Sequence, residues 1–162
     1  MECKTLSSTL VIAAVAALAA LPPAGAAARS PSTVPGADAY QTAVTVVVNA
    51  GASGSTGNSV DPVPADRRLV MEFVSVMALV PTGQKPRVEL IGLVDGAGLP
   101  FAIPLTFVGQ FVNGFDEYRS TQQVRVYHDG NGSNGPRIVC SRNLLTGPAT
   151  CNAWISGYLI GK

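Results

Sequence analysis

The chain contains one histidine, His128, and it stands directly beside Asp129. A hydrolytic triad would need that imidazole–carboxylate pair together with a positioned serine. Neighbours in a strand point to opposite faces, and no G-x-S-x-G elbow occurs in the sequence. The adjacency therefore reads as a surface histidine at a strand end. Residues 129–135 (DGNGSNG) place oxygen ligands at alternate positions, Asp129, Asn131 and Ser133, which suits a hard cation such as calcium. Against this, the sixth position is Asn134 and the twelfth is Cys140, where a calcium loop has glycine and a bidentate glutamate. With a single carboxylate, the segment reads first as a Gly/Asn hairpin loop. A metal at Asp129, Asn131 and Ser133 is the alternative. Asn131-Gly132-Ser133 also matches a glycosylation sequon.

Carboxylates recur at Asp116-Glu117 and at Glu72 and Glu89. Glycosidase chemistry needs two carboxyls about 5–10 Å apart across one cleft. Adjacent residues diverge, whereas Glu72 and Glu89 on neighbouring strands would face each other or Arg87 as surface pairs. The glycine-rich residues 49–59 lack a lysine and a following helix, so they form no phosphate loop. Trp154, Tyr158, Tyr127 and Tyr118 are candidates for a sugar-stacking platform. Trp154 and Tyr158 alternate onto one face of a strand, where core or sheet-face packing is the competing reading. No cofactor motif is present, and no catalytic residue is assigned.

What must position these residues is an exported domain. Residues 10–21 (LVIAAVAALAAL) are an apolar run of 12 behind a short n-region, followed by Pro22-Pro23 and small residues. That is the layout of a secretory signal peptide, and it is too short to span a membrane as a helix. We expect residues 1–28 to be the signal, 29–39 a flexible leader rich in Pro, Ser and Ala, and 40–162 one domain. Export, to the periplasm or beyond the cell, removes Cys3 and leaves Cys140 and Cys151. In an oxidising compartment those two read as a disulfide.

Charged residues make up 13% of the chain and the net charge is +1, so no basic stripe marks a nucleic-acid or anionic-lipid surface. Apolar residues recur with period two. Strands are expected over 40–48, 67–80, 85–94, 101–112 (one or two), 118–128, 136–143 and 151–160, with 49–59 as a polar loop. Both faces of 67–80 are apolar in its second half, and its length calls for a bulge or bend. Pro104 demands an edge position or a bulge. Seven or eight such strands with Gly/Pro turns point to an all-β, antiparallel sandwich of jelly-roll type. If the last two strands pair as a hairpin, Cys140 lies opposite Cys151.

Arg68-Leu69-Val70 with Glu72, Val74 and Ser75, then Pro81-Thr82-Gly83-Gln84, resembles small exported proteins of proteobacteria. So do Gln123-Val124-Arg125-Val126-Tyr127 and Ser156-Gly157-Tyr158-Leu159-Ile160. The resemblance covers residues 67–160 and implies a shared β-sandwich. It carries over no catalytic or binding residue. The combined expectation is a non-catalytic binding or surface-associated module of unknown ligand. A carbohydrate-binding module is one alternative. Another is a structural subunit that self-associates through the leader or an edge strand near Pro104. A small hydrolase using His128 with Asp129 or Glu117 is the third.

Overall fold

A computed structural model describes residues 37–162; the expected signal peptide and most of the expected leader lie outside the described residues. The leader is expected to run to residue 39, yet β1 already begins at Asp38. Nine strands follow in order: β1 Asp38–Val48, β2 Gly54–Asn58, β3 Arg67–Pro81, β4 Pro86–Val94, β5 Ala97–Ile103, β6 Thr106–Phe111, β7 Phe115–Asp129, β8 Arg137–Arg142 and β9 Ala149–Gly161. The protein is all-β. The short β2 falls inside 49–59, expected as a loop too polar to pack. Glycine is what lets it pack: a Cβ on Gly57 would lie 2.9 Å from Val46 Cγ2 and 3.0 Å from the Thr45 carbonyl oxygen. β2 therefore lies directly against β1, where a bulkier residue would not fit.

The pairing defines two layers. β1–β9–β3–β7 is one antiparallel sheet, extended at its edge by β6, and β2–β8–β4–β5 is the other. They join at a single parallel bridge, Leu93 to His128. From β1 to β4, and again from β7 to β9, the chain crosses between sheets at each connection. Two four-stranded layers connected this way, with β6 added at one edge, form a jelly roll. Gly92 makes the junction possible, because a Cβ there would come within 2.3 Å of the Tyr127 carbonyl oxygen.

This winding overturns the expected β8–β9 hairpin. Consecutive strands sit in opposite sheets, so β8 pairs with β2 and β4 while β9 pairs with β1 and β3. The Cys140–Cys151 disulfide forms as expected but staples the two layers together. Its Cα atoms are 6.2 Å apart, closer than the roughly 10 Å between packed sheets, so the layers converge there.

The alternation that builds the core is clearest in β1, where Tyr40, Thr42, Val44, Val46 and Val48 are buried and their neighbours exposed. Against them pack Val74, Val76 and Ala78 of β3, Ala153 and Ile155 of β9, and Val88 and Leu90 of β4. β3 changes phase: Leu69 and Met71 face the core before Glu72, and Val74, Val76, Ala78 and Val80 after it. The pairing register slips between Met71 and Phe73 towards both neighbours, which is the expected bulge. Gly157 of β9 makes room for it, since a Cβ there would lie 1.9 Å from the Val70 carbonyl oxygen. The slip also turns Phe73 outward, 48% exposed. Pro104 separates β5 from β6, resolving residues 101–112 into two strands.

Candidate functional site

Two places remain after the core and the turns are accounted for. The first is the outer face of the β1–β9–β3–β7 sheet. Trp154 stands opposite Ser75, and Phe73 opposite Ser156, so the two aromatics are diagonal neighbours on one face. Both are half exposed, Phe73 at 48% and Trp154 at 49%. With Gln41, Ser75, Thr121 and Ser156 they line a shallow groove of about 370 Å³. Further along the face, Tyr127 and Tyr158 flank Val70 from either side. Val70 is only 2% exposed yet outside the core cluster; we attribute its burial to the tyrosines beside it. From Trp154 to Tyr158 is four residues of strand, about 13 Å. The fold thus places Trp154 and Tyr158 on a common face, as the alternation suggested, and the pairing through Val70 adds Tyr127. The sequence missed Phe73, which strict alternation keeps on one face with Leu69 and Met71 until the bulge reverses the phase of β3. Tyr118 lies elsewhere, edge-on to Phe107 with ring centroids 5.4 Å apart.

The second place is where the two layers meet. His128, read from the sequence as a surface residue, is 2% exposed. The strand end at which it sits is covered by Leu93 of β4 and by the segments 59–65 and 130–136, which are knitted together by backbone hydrogen bonds. Their fit depends on glycine. Cβ atoms on Gly130 and Gly135 would lie 1.8 Å from the Pro64 carbonyl oxygen and 2.4 Å from that of Asp61. His128 lines a cavity of about 210 Å³ with Asn58, Leu93, Asn134, Gly135 and Arg137. Apart from a backbone contact at Asn134, neither ring nitrogen has a hydrogen-bond partner in the protein. Burial first, then the Arg137 guanidinium, pushes the imidazole below its ordinary range; the Asn134 backbone and Asp129 act weakly the other way.

Asp129 does not partner His128. Its carboxylate receives Arg68 Nε at 2.5 Å and Nη2 at 3.1 Å, and the Asp95 N–H at 3.0 Å. Those bonds, the arginine's foremost, hold its pKa to about 2. Asn131 Oδ1 accepts the N–H groups of Ser133 and Asn134 at 2.9 and 2.8 Å. The Asp129 carboxylate is thus committed to Arg68 and the Asp95 N–H, and the Asn131 amide oxygen to the loop's own N–H groups. Among the described residues, no three His, Cys, Asp or Glu side chains gather as a metal site.

The other carboxylates also disperse. Asp116 accepts the Gly83 N–H at 2.8 Å and Glu117 pairs with Arg119. Glu89 pairs with Arg87 of its own strand at 2.5 Å. Glu72 does not face Glu89, because β3 and β4 belong to different sheets.

The fold and these two places together define a jelly-roll protein with an aromatic outer face. No protein-family model matches the chain, and no curated protein matches it. Among solved structures, it is similar to a protein in the cryo-EM structure of a virus-like particle of the extra small virus of the giant freshwater prawn Macrobrachium rosenbergii. That chain is 13% identical, with a TM-score of 0.35 over 98% of this chain and 95% of that one. A likeness at that level carries no functional argument. Jelly rolls serve lectin and capsid domains alike, so function must be argued from the site.

Proposed function

We propose that the protein is an exported, non-catalytic glycan-binding module that uses the outer face of the β1–β9–β3–β7 sheet. The observation that carries this reading is the pair of half-exposed aromatics, Phe73 and Trp154, in a groove that also carries the hydroxyls of Ser75, Thr121 and Ser156. Aromatic faces cover the C–H surface of a sugar ring, while Gln41, Ser75, Thr121 and Ser156 offer partners to its hydroxyls. Tyr158 and Tyr127 extend the surface along the strands. The disulfide supports export, since such bonds persist in oxidising compartments. No helix among the described residues is long and apolar enough to cross a membrane.

The chain's only tryptophan is at the centre of this face, so its fluorescence reports on the site directly. Titration with a broad glycan panel should give a saturable change, with affinity weakened about tenfold in Phe73→Ala, and calorimetry should find binding lost in Trp154→Ala. No response across the panel would sink the reading.

A second reading has its own support. β6 is exposed on both faces, with Phe107 at 52%, Val108 at 57% and Phe111 at 47%, and Val112 beyond it at 65%. An apolar edge strand of this kind favours addition to another sheet, as for a structural subunit. Light scattering would discriminate, because a strict monomer at high concentration removes self-assembly through β6.

A further inference from the structure

We propose that the cavity between β4, β7 and β8 is a binding site for the carboxylate of a small organic acid, held between Arg137 and His128. Four observations converge on it. The cavity of about 210 Å³ far exceeds the roughly 10–15 Å³ that one water needs. His128 is buried and, apart from a backbone contact at Asn134, its ring nitrogens are unpartnered, although buried polar atoms are normally satisfied. Arg137 has no carboxylate partner among the four ion pairs of the described residues. The remaining polar lining, Asn58 and Asn134, supplies amide donors, and the lining contains no acidic side chain.

A guanidinium with a planar fork suits a planar carboxylate. The imidazole supplies one donor when neutral and two when protonated. The groups facing it are few. Arg137 of β8 lies in the cavity wall, and Asp129 follows it in β7 but is bound by Arg68 of β3. Leu69 and Leu93, beside it in β3 and β4, are apolar. Asn58, Asn134 and Gly135 carry no charge. An anion beside the ring would therefore offset the Arg137 cation and draw a proton onto His128, so binding strengthens as the pH falls.

With a single histidine, the imidazole resonances in heteronuclear NMR need no assignment, and the purified protein can be titrated with acetate at constant ionic strength. At about pH 5.5 and about pH 7.5, on either side of the ordinary imidazole range, we expect a saturable shift of the ring signals. Affinity should be higher at the acidic pH. Arg137→Gln should weaken it about tenfold. His128→Gln, with its fold checked by circular dichroism and its binding followed through backbone amide shifts, should abolish the pH dependence while Arg137 retains residual binding. The proposal is overturned if acetate gives no saturable shift, the result for a cavity that holds water only. It is equally overturned if neutral acetamide matches acetate or if Arg137→Gln binds as well as wild type. Saturation by inorganic phosphate but not by acetate would replace the carboxylate with a tetrahedral oxyanion and so refute it.

Discussion

β8 carries an arginine at each end, and the molecule treats the two in opposite ways. Arg142 is 6% exposed and makes six hydrogen bonds, to the carbonyl oxygens of Asn49, Ala52, Leu145, Thr146 and Gly147 and to Gln84 Oε1. Gln84, itself 1% exposed, donates in turn to the Thr146 carbonyl oxygen at 2.6 Å. One guanidinium thus ties the 49–52 and 143–147 connections to the turn after β3. Arg137, five residues earlier and on the exposed face of the same strand, has no ion pair and borders a cavity with an unsatisfied histidine. The difference teaches how to read buried polarity. A polar cluster whose bonds are all made within the chain is holding the fold. A cluster with donors left over is open to a ligand.

The contrast is broken most forcefully at Arg142. Arg142→Ala should cost about 3 kcal/mol in urea denaturation, because five part-buried carbonyls and Gln84 each lose a bond to the guanidinium. A loss below about 1 kcal/mol would mean that water replaces the guanidinium and that the network is not structural. Reduction of Cys140–Cys151, which pins β8 to β9 between the arginines, should lower stability by about 3 kcal/mol, seen as a fall in Tm with reductant.

At the other end the effect is on pH dependence. Burial lowers the His128 pKa in the folded chain below its ordinary 6.5, so the unfolded chain takes up the proton first. This contribution to stability is fully present above pH 6.5 and is lost as the pH falls through the folded value. His128→Gln should flatten the stability curve there, and a saturating carboxylate should do the same in wild type. Asp129 acts in a separate, more acidic window. Its pKa falls from 3.8 to about 2, so its share is present above 3.8 and vanishes as the pH drops through 2. Arg68→Gln should remove most of that acid sensitivity in acid-denaturation curves. The smallest effect belongs to Arg137→Gln, within about 0.5 kcal/mol of wild type in the same urea assay. A larger loss would make Arg137 structural, like Arg142, and erase the contrast.

Much of the fold was legible because it is written in period two. The buried alternation of β1 and the bulge required in β3 follow from Val44, Val46 and Val48 and from the double-faced run 69–80. Pro104 marked the break between β5 and β6, and the cysteine pair its own bond. β2 was not legible, because its residues are Gly, Ser, Thr and Asn, and glycine was needed for close approach to β1 rather than for a turn. The candidate face was half legible. Trp154 and Tyr158 share a face by spacing alone, but Tyr127 joins them only through strand pairing and Phe73 only after the register slip at Glu72.

The sequence by itself determined the strand class, the oxidised pair and the near-neutral surface, since each follows from local residue type and spacing. The tertiary structure alone decided which strands are neighbours. Period two says which side of a strand is apolar but not which sheet the strand joins. That is why the Cys140–Cys151 bond fits a hairpin on paper and in the fold crosses between layers. For the same reason His128 reads as exposed at its strand end and becomes buried. What covers it, Leu93 and the segments 59–65 and 130–136, comes from distant parts of the chain, brought together where Gly92, Gly130 and Gly135 let backbones touch.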